Sequence, residues 1–275
     1  AKPAEGMQNT ARWYLETGGL RRRLRILAET ARILATLHSK GIIYSDPSLQ
    51  NVCFSESAVD DDVWLLDADN LCYATSPAQE TTYTPGFGAP ELLQRRSGAN
   101  SLTDAHAFAV VAFLTLTGTH PLIGDVVEEG PPELEEQAFC GDFPWIEHPD
   151  ATENACSKGV PRGLVVSPLM RKLFHQNFSV GMKNPLERPG VAEWRDVLYW
   201  AAKATLKCPD CGATYFFINR NCPWCDRERP SYVVVRIGLE DGETAPDRNP
   251  NKDFHDVAAA VLDESESFFI DDTLG

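Results

Sequence analysis

The chain has 275 residues, 43% hydrophobic and 24% charged, a globular composition long enough for one large domain and a small one. Its net charge of −15 disfavours nucleic-acid binding through phosphate contacts, and no apolar run of about 18 residues offers a membrane span. Four of its eight cysteines form two C-x-x-C pairs and the rest (Cys53, Cys72, Cys140, Cys156) are scattered, so a secreted disulfide framework is not expected and a reducing cytoplasm is. No basic-then-apolar signal sequence opens the chain, which starts at Ala1 rather than Met and is expected to be a piece of a longer protein.

Leu24, Leu27, Ala28, Ala31, Leu34, Ala35 and His38 keep helical spacing, with Arg21, Arg22, Arg23, Arg25, Glu29 and Arg32 on the other faces. Gly41 stops this helix. The loop "YSDPSLQNV" comes next, and Val52 to Phe54 and Val63 to Asp67 read as a hairpin. Thr75 to Gly88 is a long loop without periodicity. "HAFAVVAFLTLTG" is apolar on every side and belongs in the middle of a core, with Asp104 at its start, where a carboxylate suits the helix dipole. Asp125 to Pro161 reads as an acidic, irregular insertion over the surface. "LMRKLFHQNF" and "VAEWRDVLYWAAKATL" are two more amphipathic helices, broken by "NPLERPG".

Within the quoted loop, Asp46 and Asn51 admit two readings: an acid that takes a proton beside an amide that holds a metal, or a polar turn before a strand. An Asp at that separation from an Asn is weak by itself. It gains weight from the residues after it, in order: Asp67 after an apolar strand, a Thr-rich loop, "APE" ending at Glu91, Asp104 opening a buried helix, and Arg188 in "ERP".

This order resembles the C-terminal lobe of the eukaryotic-type protein kinases, whose catalytic loop H-R-D-x-x-x-x-N precedes D-F-G and A-P-E. The resemblance runs over about Ala11 to Ala202. More narrowly, "LLDADN", "GFGAPELL", "GTHPLIGD", "NPLERPGVAEW" and "CPWC" are similar to a bacterial kinase-like family with a C-terminal zinc ribbon. That likeness implies a mainly α (α+β) fold, a kinase C-terminal lobe over 1–206 followed by a small four-cysteine zinc ribbon over 207–239 with its following strand. It implies Asp46 as the group that orients the acceptor hydroxyl and takes its proton, and Asn51 and Asp67 as Mg²⁺–ATP ligands. Glu91 and Arg188 would form a buried ion pair, and Asp104 would brace the catalytic loop. Thr84, seven residues before Glu91, favours a Ser/Thr acceptor. Protein substrates are implied, and work beside PP2C-type phosphatases and von Willebrand A domain proteins in tellurite-resistance-linked stress systems.

Several positions depart from that pattern. Tyr44 and Ser45 stand where His and Arg are usual, Ser48 stands where a Lys stabilises the transferred phosphoryl group, and Ala68 and Asp69 replace Phe and Gly. Asp69 is either a further metal contact or a loop residue, and Thr81, Thr82 and Tyr83 are either phosphorylation sites or solvated loop. No glycine-rich phosphate loop or "VAIK"-like strand precedes Ala11, so the N-terminal lobe is expected to be missing and these residues to bind ATP weakly by themselves. Two functions remain in view: a bacterial Ser/Thr protein kinase, or a pseudokinase scaffold that binds partners through the lobe and the ribbon.

Cys208, Cys211, Cys222 and Cys225 in "CPDCGATYFFINRNCPWC" form two knuckles able to place four thiolates on one ion, the arrangement of structural zinc. Iron uses the same ligands and stays open as the alternative. A hairpin at "TYFFI" is expected between the knuckles. Tyr215, Phe216, Phe217 and Trp224 are either a partner-contact face or core docked on the helix of Trp194 and Trp200. "YVVVRIGL" reads as one strand. Residues 240–275, with 11 acids and 2 bases, read as an acidic tail, solvated or docking to a basic partner.

Overall fold

A computed structural model describes residues 12–57, 60–75, 82–240, 254–264 and 266, with backbone alone at 237–240 and 254–259. The centre is α3 (Ser101–Thr117), in which thirteen of seventeen residues are buried. Being apolar all round, it is covered on several sides, by α1 (Gly19–Ser39), α7 (Pro168–Phe178) and α9 (Val191–Lys203). Phe113 meets Phe174 edge-on at 5.1 Å, and Phe108 packs against Trp194 at 6.1 Å.

Asn100 fixes where α3 begins. Its side chain accepts from Leu102 N and Thr103 N, while Thr103 Oγ1 accepts from Asn100 N at 2.9 Å. This reciprocal cap holds Asp104 in the first turn, where its carboxylate reaches the loop below. Asn100→Ala is expected to cost about 1 kcal/mol in urea unfolding; a loss within measurement error would show that the cap is redundant.

Helix α1 ends as expected, with Gly41 at φ 70° donating to His38 O. One of its arginines departs from the expected pattern. Arg23 is buried, its guanidinium on the Tyr14 ring at 3.9 Å and hydrogen-bonded to Thr115 O, Tyr14 O and Gly19 O. A planar fork of donors can satisfy itself on carbonyls inside a core, which periodicity does not register.

The expected hairpin forms from β2 (Val52–Phe54) and β3 (Val63–Leu65). Beside it, β1 (Ile42–Ile43) pairs with β4 (Cys72–Tyr73) and so ties the loop after α1 to the segment after Asp67. The short helix α2 (Pro90–Leu93) carries Glu91.

The segment 125–161 is not a surface insertion. It contains α4 (Asp125–Glu129) and α5 (Pro132–Cys140), and Val127, Ala138, Trp145, Ile146 and Val160 are buried in the main core. Its apolar anchors are spaced too widely to read against an acidic background. Asn154, fully buried, closes the segment by donating to Leu122 O and Pro144 O and accepting from Gly124 N, each at 2.9 Å. Short helices α6 (Arg162–Val165) and α8 (Val180–Lys183) flank α7.

After α9 the chain turns to strand. β5 (Thr205–Lys207) pairs with β6 (Thr214–Phe216), so "TYF" returns to the strand before Cys208 rather than forming its own hairpin between the knuckles. The first knuckle is itself the turn, with Gly212 at φ 71°. Phe216 enters the main core and Trp224 stacks on Tyr14 at 5.6 Å, so these two are docked core, while Tyr215 and Phe217 pack in a smaller cluster around Cys208 and Cys222. Next, β7 (Tyr232–Glu240) pairs antiparallel with β8 (Phe254–Asp263). The acidic-tail reading therefore fails over 254–263. The apolar run from Val257 to Leu262 makes a strand, which the acid count of the region masks. Residues 76–81, with Thr81, and the rest of the expected tail apart from Glu240, 254–264 and Glu266 lie outside the described residues.

Among the described residues, no helix is long and apolar enough to cross a membrane.

Candidate functional site

The loop after β1 is shaped from beneath. Ser45 has φ 78°, a backbone state that costs a non-glycine residue on the order of 1–3 kcal/mol. Asp104 holds it there. This fully buried carboxylate accepts from Tyr44 N at 2.8 Å, Ser45 N at 2.9 Å and His38 Nε2 at 2.9 Å. Ser45 Oγ adds a bond to Asn70 O at 2.9 Å. The strained turn presents the next residue, Asp46, at the surface of the lobe.

Both oxygens of Asp46 are engaged. Oδ1 accepts from Thr84 N at 2.7 Å, and Oδ2 accepts from Thr84 Oγ1 at 2.8 Å and from Asn51 Nδ2 at 3.1 Å. Asn51 Nδ2 also donates to Asp46 O at 3.1 Å. With the amide nitrogen spent on Asp46, Asn51 Oδ1 is the atom left to face a cation. Thr84 thus joins the long loop to Asp46 and Asn51, three residues drawn from two separate stretches of sequence.

Asp67 reaches the same region from the hairpin. Asn51 O accepts from Leu66 N at 2.8 Å, and the Tyr44 hydroxyl donates to Leu66 O. These bonds place Asp67 one residue beyond the contact, in the left-handed conformation (φ 54°, ψ 58°) that opens the turn Ala68–Asn70. Its carboxylate is exposed. Burial, and after it the charges of Asp46, Asp67 and Asp104, push the Tyr44 hydroxyl above its usual range. An amide oxygen and a carboxylate are hard oxygen ligands of the kind Mg²⁺ prefers. Asp69 is exposed in the same turn.

Glu91 and Arg188 stand apart from this cluster. Arg188 Nη1 and Nη2 donate to the two Glu91 oxygens at 2.6 and 2.8 Å, Nε donates to Gly181 O at 2.8 Å, and Nη1 also to Leu102 O at 3.1 Å. The pair is buried and ties α2, α3 and α8 together. Gly181 is needed there, since a Cβ on it would lie 2.8 Å from Arg188 Cγ.

A second centre lies in the knuckles. Cys208 and Cys225 Sγ are 3.5 Å apart, Cys211 and Cys222 Sγ 3.6 Å, and all four sulfurs lie within 4.8 Å of one another. A tetrahedron with metal–sulfur bonds of about 2.3 Å has edges of about 3.8 Å, so this group could hold a metal ion such as zinc. Backbone turns set it: Gly212 N donates to Cys208 O and Asp226 N to Cys222 O. Asp226 takes φ 65° where the first knuckle has Gly212. Without a cation, burial pushes the Cys222 thiol up and the Cys211 thiol to about 11.

No protein-family model matches the chain, and no curated protein matches it either.

Of the residues singled out from sequence, Asp46, Asn51 and Thr84 meet directly, Asp67 borders them, and Asp104 lies beneath. Glu91 and Arg188 pair elsewhere, and the four cysteines converge. Two supports escape a reading of the sequence. His38 falls on the apolar face of α1, and a polar residue at an apolar position is the available signal. The Tyr44 hydroxyl, bonded across to the hairpin, gives no signal beyond its place in the loop. Ser48 is fully buried, and its Oγ has no hydrogen-bond partner among the described residues.

Proposed function

We propose that this chain carries the catalytic-loop half of a Ser/Thr protein kinase, with a structural zinc ribbon docked behind it. The observation that carries the reading is the Asp46 carboxylate fixed between Thr84 and Asn51 on a strained loop that Asp104 braces. Phosphoryl transfer depends on positioning and charge neutralisation more than on covalent help, and this is a positioning device. Mg²⁺–ATP, when bound, supplies the γ-phosphoryl group. Asn51 Oδ1 and Asp67 would hold the cation. Asp46 would orient the acceptor hydroxyl and take its proton as the acceptor oxygen bonds to the γ-phosphorus and the bond to ADP breaks. Thr84, bonded to Asp46 as the resemblance to Ser/Thr kinases implies, favours a Ser or Thr acceptor. Protein substrates, and company with PP2C-type phosphatases and von Willebrand A domain proteins, belong to the same proposal.

Zinc at Cys208, Cys211, Cys222 and Cys225 would be structural, because all four positions of a tetrahedron are filled by thiolates.

One observation favours a scaffold instead. Ser48 is buried, with no partner for its hydroxyl among the described residues, in the place where the resemblance expects a Lys on the phosphoryl group. A lobe without that cation keeps the geometry and loses charge stabilisation. Phosphoamino-acid analysis after incubating the full-length natural chain with labelled ATP, Mg²⁺ and a mixed protein substrate tests the acceptor. Label on Ser and Thr supports the proposal; label confined to Tyr contradicts it.

A further inference from the structure

The segment that brings Thr84 to Asp46 is a tight turn. Phe87 N donates to Thr84 O at 3.0 Å, Pro85 takes the second position, and Gly86 takes the third at φ 83°. These are the residues that the corners of a type II turn ask for. A Cβ on Gly86 would meet its nearest neighbours at 3.7 Å, an ordinary contact. The left-handed backbone, rather than crowding, therefore calls for glycine. The first residue of the turn binds Asp46 twice, through Thr84 N and Thr84 Oγ1.

The third residue is held by a side chain distant in sequence. His120 lies between α3 and α4, and its Nδ1 accepts from Leu122 N at 3.1 Å, so Nδ1 carries no hydrogen. Burial takes the imidazole down to about 4, against the pull of the Gly86 carbonyl. The ring is thus neutral at pH 7, with its one hydrogen on Nε2. Nε2 donates that hydrogen to Gly86 O at 2.9 Å. Phe139 of α5 meets the ring edge-on at 5.3 Å and keeps it in place. The two nitrogens have separate tasks. Nδ1 closes the local turn to Leu122, and Nε2 ties that turn to the one carrying Thr84. Only the second bond leads to Asp46.

We propose that His120 is a positioning residue for Asp46, holding the Thr84–Phe87 turn by the Gly86 carbonyl so that Thr84 stays on the carboxylate. Its effect on phosphotransfer rests on the function proposed above; its hold on the turn does not.

Two variants of the full-length natural chain separate the two nitrogens. His120→Asn puts an oxygen where Nδ1 stood, so it can still accept from Leu122 N, but it is too short to reach Gly86 O. His120→Gln can place an N–H where Nε2 stood and leaves Leu122 N unserved. Amide hydrogen exchange at Thr84 and Phe87 should speed up about tenfold in His120→Asn, the scale of one lost hydrogen bond, and stay near the wild-type rate in His120→Gln. Melting curves show that each variant is folded. Should His120→Asn not fold, His120→Phe keeps a ring against Phe139, lacks both nitrogens and should show the same faster exchange. With Mg²⁺–ATP, His120→Asn should lower kcat about tenfold and leave KM for ATP unchanged, since Asn51 and Asp67 are untouched, and His120→Gln should restore kcat. Wild-type exchange rates in folded His120→Asn, or faster exchange in His120→Gln than in His120→Asn, overturns the proposal, because the histidine would then serve its local turn alone. A wild type that transfers no phosphate contradicts the kinase reading instead, and the exchange rates still decide whether His120 holds the turn.

Discussion

Glu91→Ala is expected to destabilise the helical lobe by about 3–5 kcal/mol in urea unfolding. The Arg188 side chain is fully buried and Glu91 nearly so. Removing the carboxylate leaves a guanidinium in the interior with two carbonyls, Gly181 O and Leu102 O, as its remaining partners. Those bonds satisfy hydrogens but not charge. Arg188→Met should cost a similar amount, since it strands Glu91. The double variant Glu91→Ala with Arg188→Met should lose less than the two singles together, because no unpaired charge remains. A single-variant loss below about 1 kcal/mol, the range of surface pairs, would mean that water reaches the pair and that it does not lock α2, α3 and α8.

Cys222→Ser is expected to remove bound metal and unfold the ribbon. Metal binding by so small a module is largely its folding energy, on the order of 10 kcal/mol for zinc at neutral pH. The ribbon has a small core of its own, with Leu206, Ala213 and Tyr215 around Cys208 and Cys222. Such a core cannot hold two knuckle turns without the ion. Phe216 and Trp224 carry the damage inward, since they pack on the main core and on Tyr14. Elemental analysis should find one zinc per wild-type chain and none in the variant. Thermal melting should fall, and tryptophan emission should shift as Trp224 leaves Tyr14. Strong chelation of the wild type should reproduce both changes. Full metal content and unchanged melting in Cys222→Ser would rule out a four-thiolate structural site.

Much of this arrangement can be read from the chain because the physics is local. The all-apolar run at 106–118 can only be a central helix. Two C-x-x-C pairs ten residues apart have few ways to use four thiols. Asp46, Asn51 and Asp67 flank a short hairpin whose pattern is plain, so their neighbourhood is set once the hairpin forms. What cannot be read depends on contacts distant in sequence. Trp145 and Ile146 look like part of an acidic surface loop until Phe113 is placed beneath Trp145. Arg23 carries its burial in carbonyls that no sequence pattern displays. The strand at Phe254–Asp263 needs β7 as a partner before its apolar run outweighs the acids around it. Asp104 is readable as a helix-start carboxylate, but its grip on the Tyr44 and Ser45 amides exists only once α3 meets the loop.

The most direct test of the proposed phosphotransfer site is transfer of label from γ-labelled ATP in Mg²⁺ by the full-length natural chain, beside its Asp46→Ala and Asp67→Ala variants, each folded and zinc-loaded. The proposal expects label on Ser or Thr with the wild type and a fall of about 100-fold or more in each variant. Transfer that persists in Asp46→Ala, or no transfer by the wild type, would contradict it and leave the lobe as a scaffold.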